Sequence, residues 1–513
     1  MSADAYQLAL GGVASLALGA LLARRPAGRD GFTRWLHGLL PLALFATAVA
    51  AWAAFRLVPH WNWSAARLAT AVRLVHGFPL YSGTGDAAVN GWIYGPVSAI
   101  AYAPAALARE PLTALRLAMV LNALYFLLPV AVLFHGHLRH RCARATGLLI
   151  PAFAVSMMLA PFGQWYGAAS LHTDIVATGL GVLSCVALVR GRNLPLAAFL
   201  VVAAAWSKQI EAVLAVAQLL YLFRARGARA ALVYVGWLAL AALVLTAGFV
   251  VWFGADPLWY SLIILPGGHS IQWVRVGSIL AAFGWATWWV WPLFFVVRSS
   301  RTGTADESRT PDSLAPLLLL SALILLPVGV LAAAKIGGDQ NSLHATVYAV
   351  LGGTLLLVRL LEGPTAHLRA IARAALLGGA LLGAGYNVHR VLANDHLAVR
   401  DPGAQHREAF AFAQAHPGET YFPCNPLITL LADGRDYPTD DGVYSARLAG
   451  QPVDPAALRR LFPPTLTFVI YHEKDPTHEM QKFFPEFNRL HQTGSWDIFT
   501  RGPAHMGPAS TRP

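Results

Sequence analysis

Long apolar runs recur along the 513-residue chain and constrain its fold more than any other feature. Most approach the roughly 17–25 residues that an α-helix needs to cross a membrane. The candidate spans cover residues 5–23, 36–57, 114–134, 145–161, 174–190, 194–207, 208–223, 230–253, 277–297, 314–334, 343–361 and 370–387. Only 12% of the residues are charged, against roughly 25% in a soluble chain. The sequence predicts an all-α polytopic membrane protein with about twelve transmembrane helices.

Arginine clusters separate the apolar runs and set the expected topology. They lie within residues 24–34, 139–144, 190–192, 224–229, 298–301 and 359–373. The positive-inside rule places such clusters in the cytoplasm, so consecutive clusters enclose an even number of crossings. The apolar stretch 92–108 must then stay outside as an interfacial helix. Because the basic residues are distributed in this way, the net charge of +12 does not indicate a nucleic-acid partner.

Lys208 and Glu211 interrupt an apolar region that runs from residue 194 to 223. Arginines flank this region on both sides, so it must cross outward and return, with Lys208 at the tip of a hairpin. Each arm has about fourteen residues, roughly 20 Å at 1.5 Å per residue. Such a tip lies below the outer surface and faces protein or a water-filled cavity. We expect Lys208 to bind an anion and Glu211 to be its charge partner; snorkelling at a helix end is the alternative.

The segment "KIGGDQNSLH", residues 335–344, combines a lysine with a glycine-rich turn. Lys335 is one of only four lysines among 38 basic residues, and an ammonium group suits a phosphate ligand. The two glycines allow backbone amides to approach a ligand closely. Asp339 and Asn341 are therefore candidate ligand-binding residues, although Asp339 could equally close a turn.

Three further residues are candidates for acid–base chemistry. His172 and Asp174 directly precede an apolar run, where Asp174 could either bind or transfer a proton or simply cap the helix. Asp86 is the only carboxylate in residues 58–91 of the first outer loop. It could act as a general base or as a turn residue, and His60 and His76 are the other bases in that loop.

Hydrophobicity falls from about residue 388 onward. Short β-like runs at 420–424, 465–472 and 496–500 alternate with helical patterns such as 406–415. We therefore predict a transmembrane domain over residues 1–387, with a first outer loop at 58–113, and a C-terminal extracytoplasmic α/β domain over residues 388–513.

Five segments resemble, in order and in common sidedness, those of the GT-C class of membrane glycosyltransferases. This class contains the protein O-mannosyltransferases and the aminoarabinose lipid A transferase. The segments are "ARLATAVRLVHGFPLYSG" (65–82), "YGPVSAIAYAPAAL" (94–107), "LHTD" (171–174), "AAWSKQ" (204–209) and "GGDQN" (337–341). The likeness extends over roughly residues 36–361 and implies a GT-C-like transmembrane fold.

Such enzymes take a sugar from a polyprenyl-phosphate carrier and pass it to a lipid, glycan or protein acceptor at the outer face of the membrane. The resemblance implies that Lys208, Lys335 and Arg275 hold the phosphate leaving group while a carboxylate activates the acceptor. Tyr94, Asp339 and Asn341 would complete the substrate site. We expect no cofactor and no metal, because no carboxylate cluster resembles a divalent-ion site. The abundance of Ala, Arg and Gly fits a bacterial inner membrane.

The chain departs from the family just before the first loop helix. Where the family has an acidic residue, the segment "HWNWS" (60–64) has Asn62. Either Asp86, Asp174 or His60 takes this role, or the chain is not a conventional transferase. A noncatalytic GT-C-like scaffold and a lipid or sugar transporter therefore stay open, although a transporter predicts mid-membrane binding groups and internal symmetry.

Overall fold

The structure is a computed structural model. It describes residues 61–135, 170–291, 314–358, 375 and 403–501, apart from positions 62, 88, 289, 452, 474, 476 and 477. The predicted spans 5–23, 36–57 and 145–161, almost all of 370–387, and both His60 and Asn62 lie outside the described residues.

Up to Val358, the part of the chain that the structure describes consists of helices joined by loops. The helices are α1 (Trp63–His76), α2 (Pro96–Tyr102), α3 (Pro111–Leu133), α4 (Thr173–Val189), α5 (Leu194–Ala205), α6 (Leu214–Arg226), α7 (Ala228–Phe253), α8 (Ala255–Trp259), α9 (Leu265–Gly268), α10 (Val274–Thr287), α11 (Leu314–Ala334) and α12 (His344–Val358). Within the described ranges, three of these, α3, α7 and α11, are long and apolar enough to cross a membrane. The total of about twelve spans stays a prediction.

Arginine side chains bring the C-terminal ends of three membrane helices together. Arg190, which follows α4, donates from Nη1 to the carbonyl of Val132 and from Nη2 to that of Leu133, both at 2.7 Å. Arg226, at the end of α6, donates to the carbonyl of Leu188 at 3.3 Å. The ends of α3, α4 and α6 therefore share one side, as expected from the arginine clusters.

The segment that contains Lys208 turns back on itself. Helix α5 ends at Ala205, and a 3-10 turn (Gln209–Val213) precedes α6. Because α4 and α6 end on the same side and α5 starts beside the end of α4, the chain runs away from that side along α5 and returns along α6. Lys208 lies at the tip of this hairpin, as the sequence predicts.

Residues 403–501 combine helices with a four-stranded sheet, in agreement with the predicted α/β character of the C-terminal region. The elements are α13 (Ala404–Ala415), β1 (Thr420–Tyr421), α14 (Pro426–Asp433), α15 (Asp440–Leu448), α16 (Pro455–Arg459), β2 (Phe468–His472), β3 (Arg489–Thr493) and β4 (Trp496–Thr500). The strand order is β1-β2-β4-β3. Strand β1 is parallel to β2, and β4 is antiparallel to both β2 and β3. We call this region the outer domain, after the position predicted for it from the sequence.

An aromatic box joins the start of the first loop to the outer domain. Trp61 is buried, with its ring centroid 4.8 Å from Trp496, 5.1 Å from His406 and 6.2 Å from Phe422. Its backbone carbonyl accepts a hydrogen bond from Asn425 Nδ2 at 3.0 Å. Aromatic groups dominate the energetics of such contacts because each buries a large apolar area. Helix α1, which follows Trp61, is therefore fixed against the outer domain.

Candidate functional site

A buried ion pair lies where the hairpin tip meets the start of α4. Lys208 Nζ donates to Asp174 Oδ1, and the two residues are only 5% and 3% exposed. Asn341 Nδ2 donates to the other carboxylate oxygen at 2.9 Å. Buried charges are tolerated only when they are paired and hydrogen-bonded. Asp174 lies in the first turn of α4 rather than at its N-cap, and its carboxylate neutralises Lys208.

His172 completes this polar group from the N-cap position of α4. Its Nδ1 lies 3.6 Å from Asp174 Oδ2 and 3.4 Å from Asn341 Nδ2. The ring of His344, at the start of α12, lies 6.5 Å away between centroids. We call His172, Asp174, Lys208 and Asn341 the Asp174 cluster. Segments that are far apart in the sequence contribute to it: the start of α4, the hairpin tip and the turn before α12.

No direct ion pair joins Lys208 and Glu211 in the part of the chain that the structure describes, although the charge of Lys208 acts on Glu211. Lys208 has an extended backbone (φ −145°, ψ 121°) and precedes a 3-10 turn. The two side chains therefore do not occupy neighbouring positions on one α-helical face, which the i, i+3 argument requires. Glu211 is itself buried and instead lines a small cavity with Thr178, Cys185 and Ser321.

Polar side chains from the first loop and α3 position the segment that leads into His172. Tyr102 donates its hydroxyl to Asn122 Oδ1 at 2.7 Å, and Asn122 Nδ2 donates to the carbonyl of Ser170 at 3.2 Å. Ser64 Oγ accepts a hydrogen bond from the amide of Leu171 at 3.3 Å. Sequence reasoning missed these residues. Asn122 carried a usable signal, because an amide inside an apolar span indicates a helix–helix contact.

Lys335 and Arg275 bind backbone carbonyls. Lys335 Nζ donates to the carbonyl of Pro266 at 2.8 Å. Arg275 donates from Nη1 to the carbonyl of Lys335 at 3.0 Å and from Nη2 to that of Gly338 at 2.9 Å. These bonds fix the beginning of the loop that ends at Asn341. The hydrogen bonds that the structure describes for these two cations are to backbone carbonyls and not to side chains of the Asp174 cluster.

Two of the other candidates make local hydrogen bonds. Asp339 Oδ1 accepts from the amide of Gln340 at 2.7 Å, and Asp86 Oδ2 accepts from the amide of Gly83 at 2.6 Å. Both carboxylates therefore stabilise turns.

Tyr94 belongs to the loop that covers the hairpin tip. After Gly95, the amide of Val97 donates to the carbonyl of Trp206 at 3.3 Å. Gln209 Nε2 donates to the carbonyl of Ile93 at 2.8 Å. The first loop is thus bonded to residues on both sides of Lys208, which places Tyr94 close to the tip.

Arg67 of α1 is a cation that sequence reasoning did not single out. Its guanidinium lies 4.8 Å above the ring of Trp63, and its Nη1 is enclosed by protein without a hydrogen-bond partner. Its charge acts on both His172 and Tyr102. The site therefore has a second cation besides Lys208. Within the ranges that the structure describes, no three His, Cys, Asp or Glu side chains gather as a metal site.

The long apolar helices indicate an integral membrane protein. The structure is similar to ArnT from Cupriavidus metallidurans in the apo state, with a TM-score of 0.53, 11% identity, and coverage of 91% of this chain and 99% of that chain. ArnT bound to undecaprenyl phosphate matches over the same shares, with a TM-score of 0.48 and 12% identity. No protein-family model and no curated protein matches the sequence. ArnT is an aminoarabinose lipid A transferase. The structural similarity to it confirms the GT-C resemblance for the fold.

Proposed function

We propose that this protein is a glycosyltransferase that moves a sugar from a polyprenyl-phosphate donor to an acceptor at the extracytoplasmic face of a bacterial inner membrane. The fold shared with apo ArnT supports the class of reaction. The buried pair of Asp174 and Lys208, at the tip of a hairpin under the first loop, is the observation that carries the proposal.

Lys208 is suited to stabilise a departing phosphate. Negative charge grows on the donor phosphate as its bond to the sugar breaks, and a cation already in position lowers the energy of that state. An ammonium has three N–H donors, and Lys208 donates one of them to Asp174. Asn341 and His172 hold the Asp174 carboxylate, which in turn orients the ammonium. We assign Lys335, Arg275 and Tyr94 to the same donor site.

We assign Asp174 to the positioning of Lys208. We assign His172 both to the positioning of the Asp174 carboxylate and to proton transfer. Asp339 and Asn341 belong to the loop that closes the site, and Asp86 stabilises the turn that begins the covering loop. A noncatalytic scaffold would keep the fold and would bind the lipid without transferring a sugar.

Binding of the donor lipid is the first test. Purified protein in nanodiscs is heated with undecaprenyl phosphate or with undecaprenol, which has the same chain without the phosphate. A ligand that binds only the folded state raises the unfolding temperature, so we expect protection by the phosphate alone. Lys208→Met should abolish this protection. Lys482→Met is the matched control, because Lys482 is exposed in the outer domain and pairs with Glu479.

Equal effects of the two lipids would contradict the proposal, as would full protection of Lys208→Met. Protection without sugar transfer from any undecaprenyl-phosphate hexose or pentose would favour the scaffold.

A further inference from the structure

The carboxylates expected to activate the acceptor are already engaged. Asp86 and Asp339 accept backbone hydrogen bonds in their own turns, and Asp174 pairs with Lys208. A general base must be able to receive a proton from the acceptor itself. A carboxylate that makes no such bond and lies beside the covering loop is therefore a further candidate for the base.

Asp441 of the outer domain has that capacity. It lies in the first turn of α15, its side chain is exposed, and it makes no hydrogen bond or ion pair with the described residues. Its neighbour Asp440 is buried and accepts hydrogen bonds from the Tyr471 hydroxyl at 3.2 Å and the Met480 amide at 2.8 Å. Of these two adjacent carboxylates, Asp440 stabilises the fold and Asp441 remains available.

Backbone contacts place Asp441 beside the loop that covers the hairpin tip. A Cβ on Gly91 would lie 2.8 Å from the amide nitrogen of Gly442, so the two backbones touch. Two residues further along, the carbonyl of Ile93 accepts from Gln209, the neighbour of Lys208. Two residues span at most about 7 Å. The covering loop therefore contacts the hairpin tip through Ile93 and the outer domain through Gly91, next to Asp441.

Arg67 connects Asp441 electrostatically to the Asp174 cluster. The charge of this guanidinium acts on Asp441 as well as on His172 and Tyr102. Its enclosed Nη1 has no hydrogen-bond partner and can still donate one. The other titratable groups near Asp441 are Asp440 and Cys424.

We propose that Asp441 is the general base of the transfer, that Arg67 is its positioning residue, and that the acceptor is a hydroxyl compound. This inference rests on the proposed function. The acceptor hydroxyl gives its proton to the Asp441 carboxylate while its oxygen forms a bond to C1 of the sugar. The bond between C1 and the donor phosphate oxygen breaks, and the electron pair leaves with the polyprenyl phosphate. A phosphate acceptor is already ionised, needs no base, and would be repelled by Asp441.

Two acceptor probes with the same alkyl chain test this assignment. The full chain in nanodiscs receives radiolabelled undecaprenyl-phosphate hexoses and pentoses, with submicellar octyl glucoside or with octyl phosphate. We expect wild-type protein to glycosylate octyl glucoside and Asp441→Asn to do so about 100-fold more slowly or worse. Thermal protection by undecaprenyl phosphate should be unchanged in this variant. Glu408→Gln, which removes another exposed carboxylate of the outer domain, is the matched control.

The pH profile and chemical rescue separate a base from a merely structural residue. The wild-type rate should rise with pH as Asp441 loses its proton, and Asp441→Asn should lack this rise. Added formate should restore part of the rate of Asp441→Gly. Full activity of Asp441→Asn, transfer to octyl phosphate alone, or transfer to neither probe would overturn the inference. Absence of protection of the wild-type protein by undecaprenyl phosphate would instead refute the proposed function.

Discussion

Arg73 and Asp436 form a largely buried ion pair that joins α1 to the outer domain. Arg73 Nε lies 2.8 and 3.0 Å from the two carboxylate oxygens, and Nη2 lies 2.8 Å from Oδ1. The Arg73 side chain is fully buried. Because Nε is within hydrogen-bond distance of both carboxylate oxygens, the contact fixes direction as well as distance. The helix that presents Arg67 to the site is therefore oriented by a contact about two turns away along its own length.

Asp436→Asn should destabilise the protein, because it leaves a buried guanidinium without its counter-charge. The expected loss in the free energy of unfolding is about 3–5 kcal/mol, measured by thermal or denaturant unfolding in nanodiscs. Glu486→Gln is the control, since its pair with Arg459 is 38–42% exposed and such pairs contribute at most about 1 kcal/mol. Equal losses in the two variants would show that burial of Arg73 does not determine the effect.

The Asp174 and Lys208 pair should behave as one unit in a double-mutant cycle. Asp174→Asn and Lys208→Met each leave one buried charge uncompensated, at a cost of about 3–5 kcal/mol. The double variant should regain much of this loss, because no unpaired charge remains. Undecaprenyl phosphate should not raise the unfolding temperature of Lys208→Met or of the double variant. Additive losses would argue against direct coupling of the two side chains.

Gly95→Ala should separate the first loop from the hairpin tip. A Cβ at this position would lie 1.7 Å from the carbonyl oxygen of Trp206, and backbone cannot yield as a flexible side chain can. We expect a loss of about 1–3 kcal/mol together with loss of donor binding, followed by thermal unfolding with and without undecaprenyl phosphate. Gly248→Ala, inside α7 and with nothing within 4 Å of the added Cβ, should leave donor binding unchanged and raise stability by at most about 1 kcal/mol. Normal donor binding in Gly95→Ala would show that the site does not depend on this contact.

The outer domain should lose stability as the pH rises from about 4 to about 7. Burial raises the pKa of Asp475 from its ordinary value to about 7. The folded state therefore prefers the protonated form, so its stability is full below the unfolded pKa of about 3.9 and decreases as the carboxyl ionises. Hydrogen exchange of strand β2, whose His472 amide bonds Asp475 Oδ2 at 2.7 Å, would measure this. Asp475→Asn should remove the pH dependence, and an unchanged slope would assign it to another group.

The position of Lys208 at the hairpin tip could be predicted from the sequence, because the physical signal there is local and strong. A charge inside an apolar run is costly, and the flanking arginines determine which way the hairpin points. The helical i, i+3 geometry predicted for Lys208 and Glu211 is wrong, because the chain forms an extended residue and then a 3-10 turn.

Arg67 and Asp441 could not have been predicted to act together from the sequence. Their relationship depends on how the outer domain packs on α1 and on the covering loop, through contacts such as the approach of Gly91 to Gly442. Such contacts have no periodic pattern in the sequence. The α/β character of the outer domain, in contrast, followed from its short alternating runs, although its strand order did not.

The bond between Arg73 and Asp436 joins positions 363 residues apart. Ribosomes add roughly 5–20 residues per second, so about 20–70 s separate the synthesis of the two partners. During that interval the outer domain is incomplete, so Arg73 and the ring of Trp61 lack their native partners. Insertion of the early helices and completion of the site are therefore separate events in the biogenesis of this protein. A chain truncated before residue 403 should insert into the membrane yet leave its first loop open to proteases.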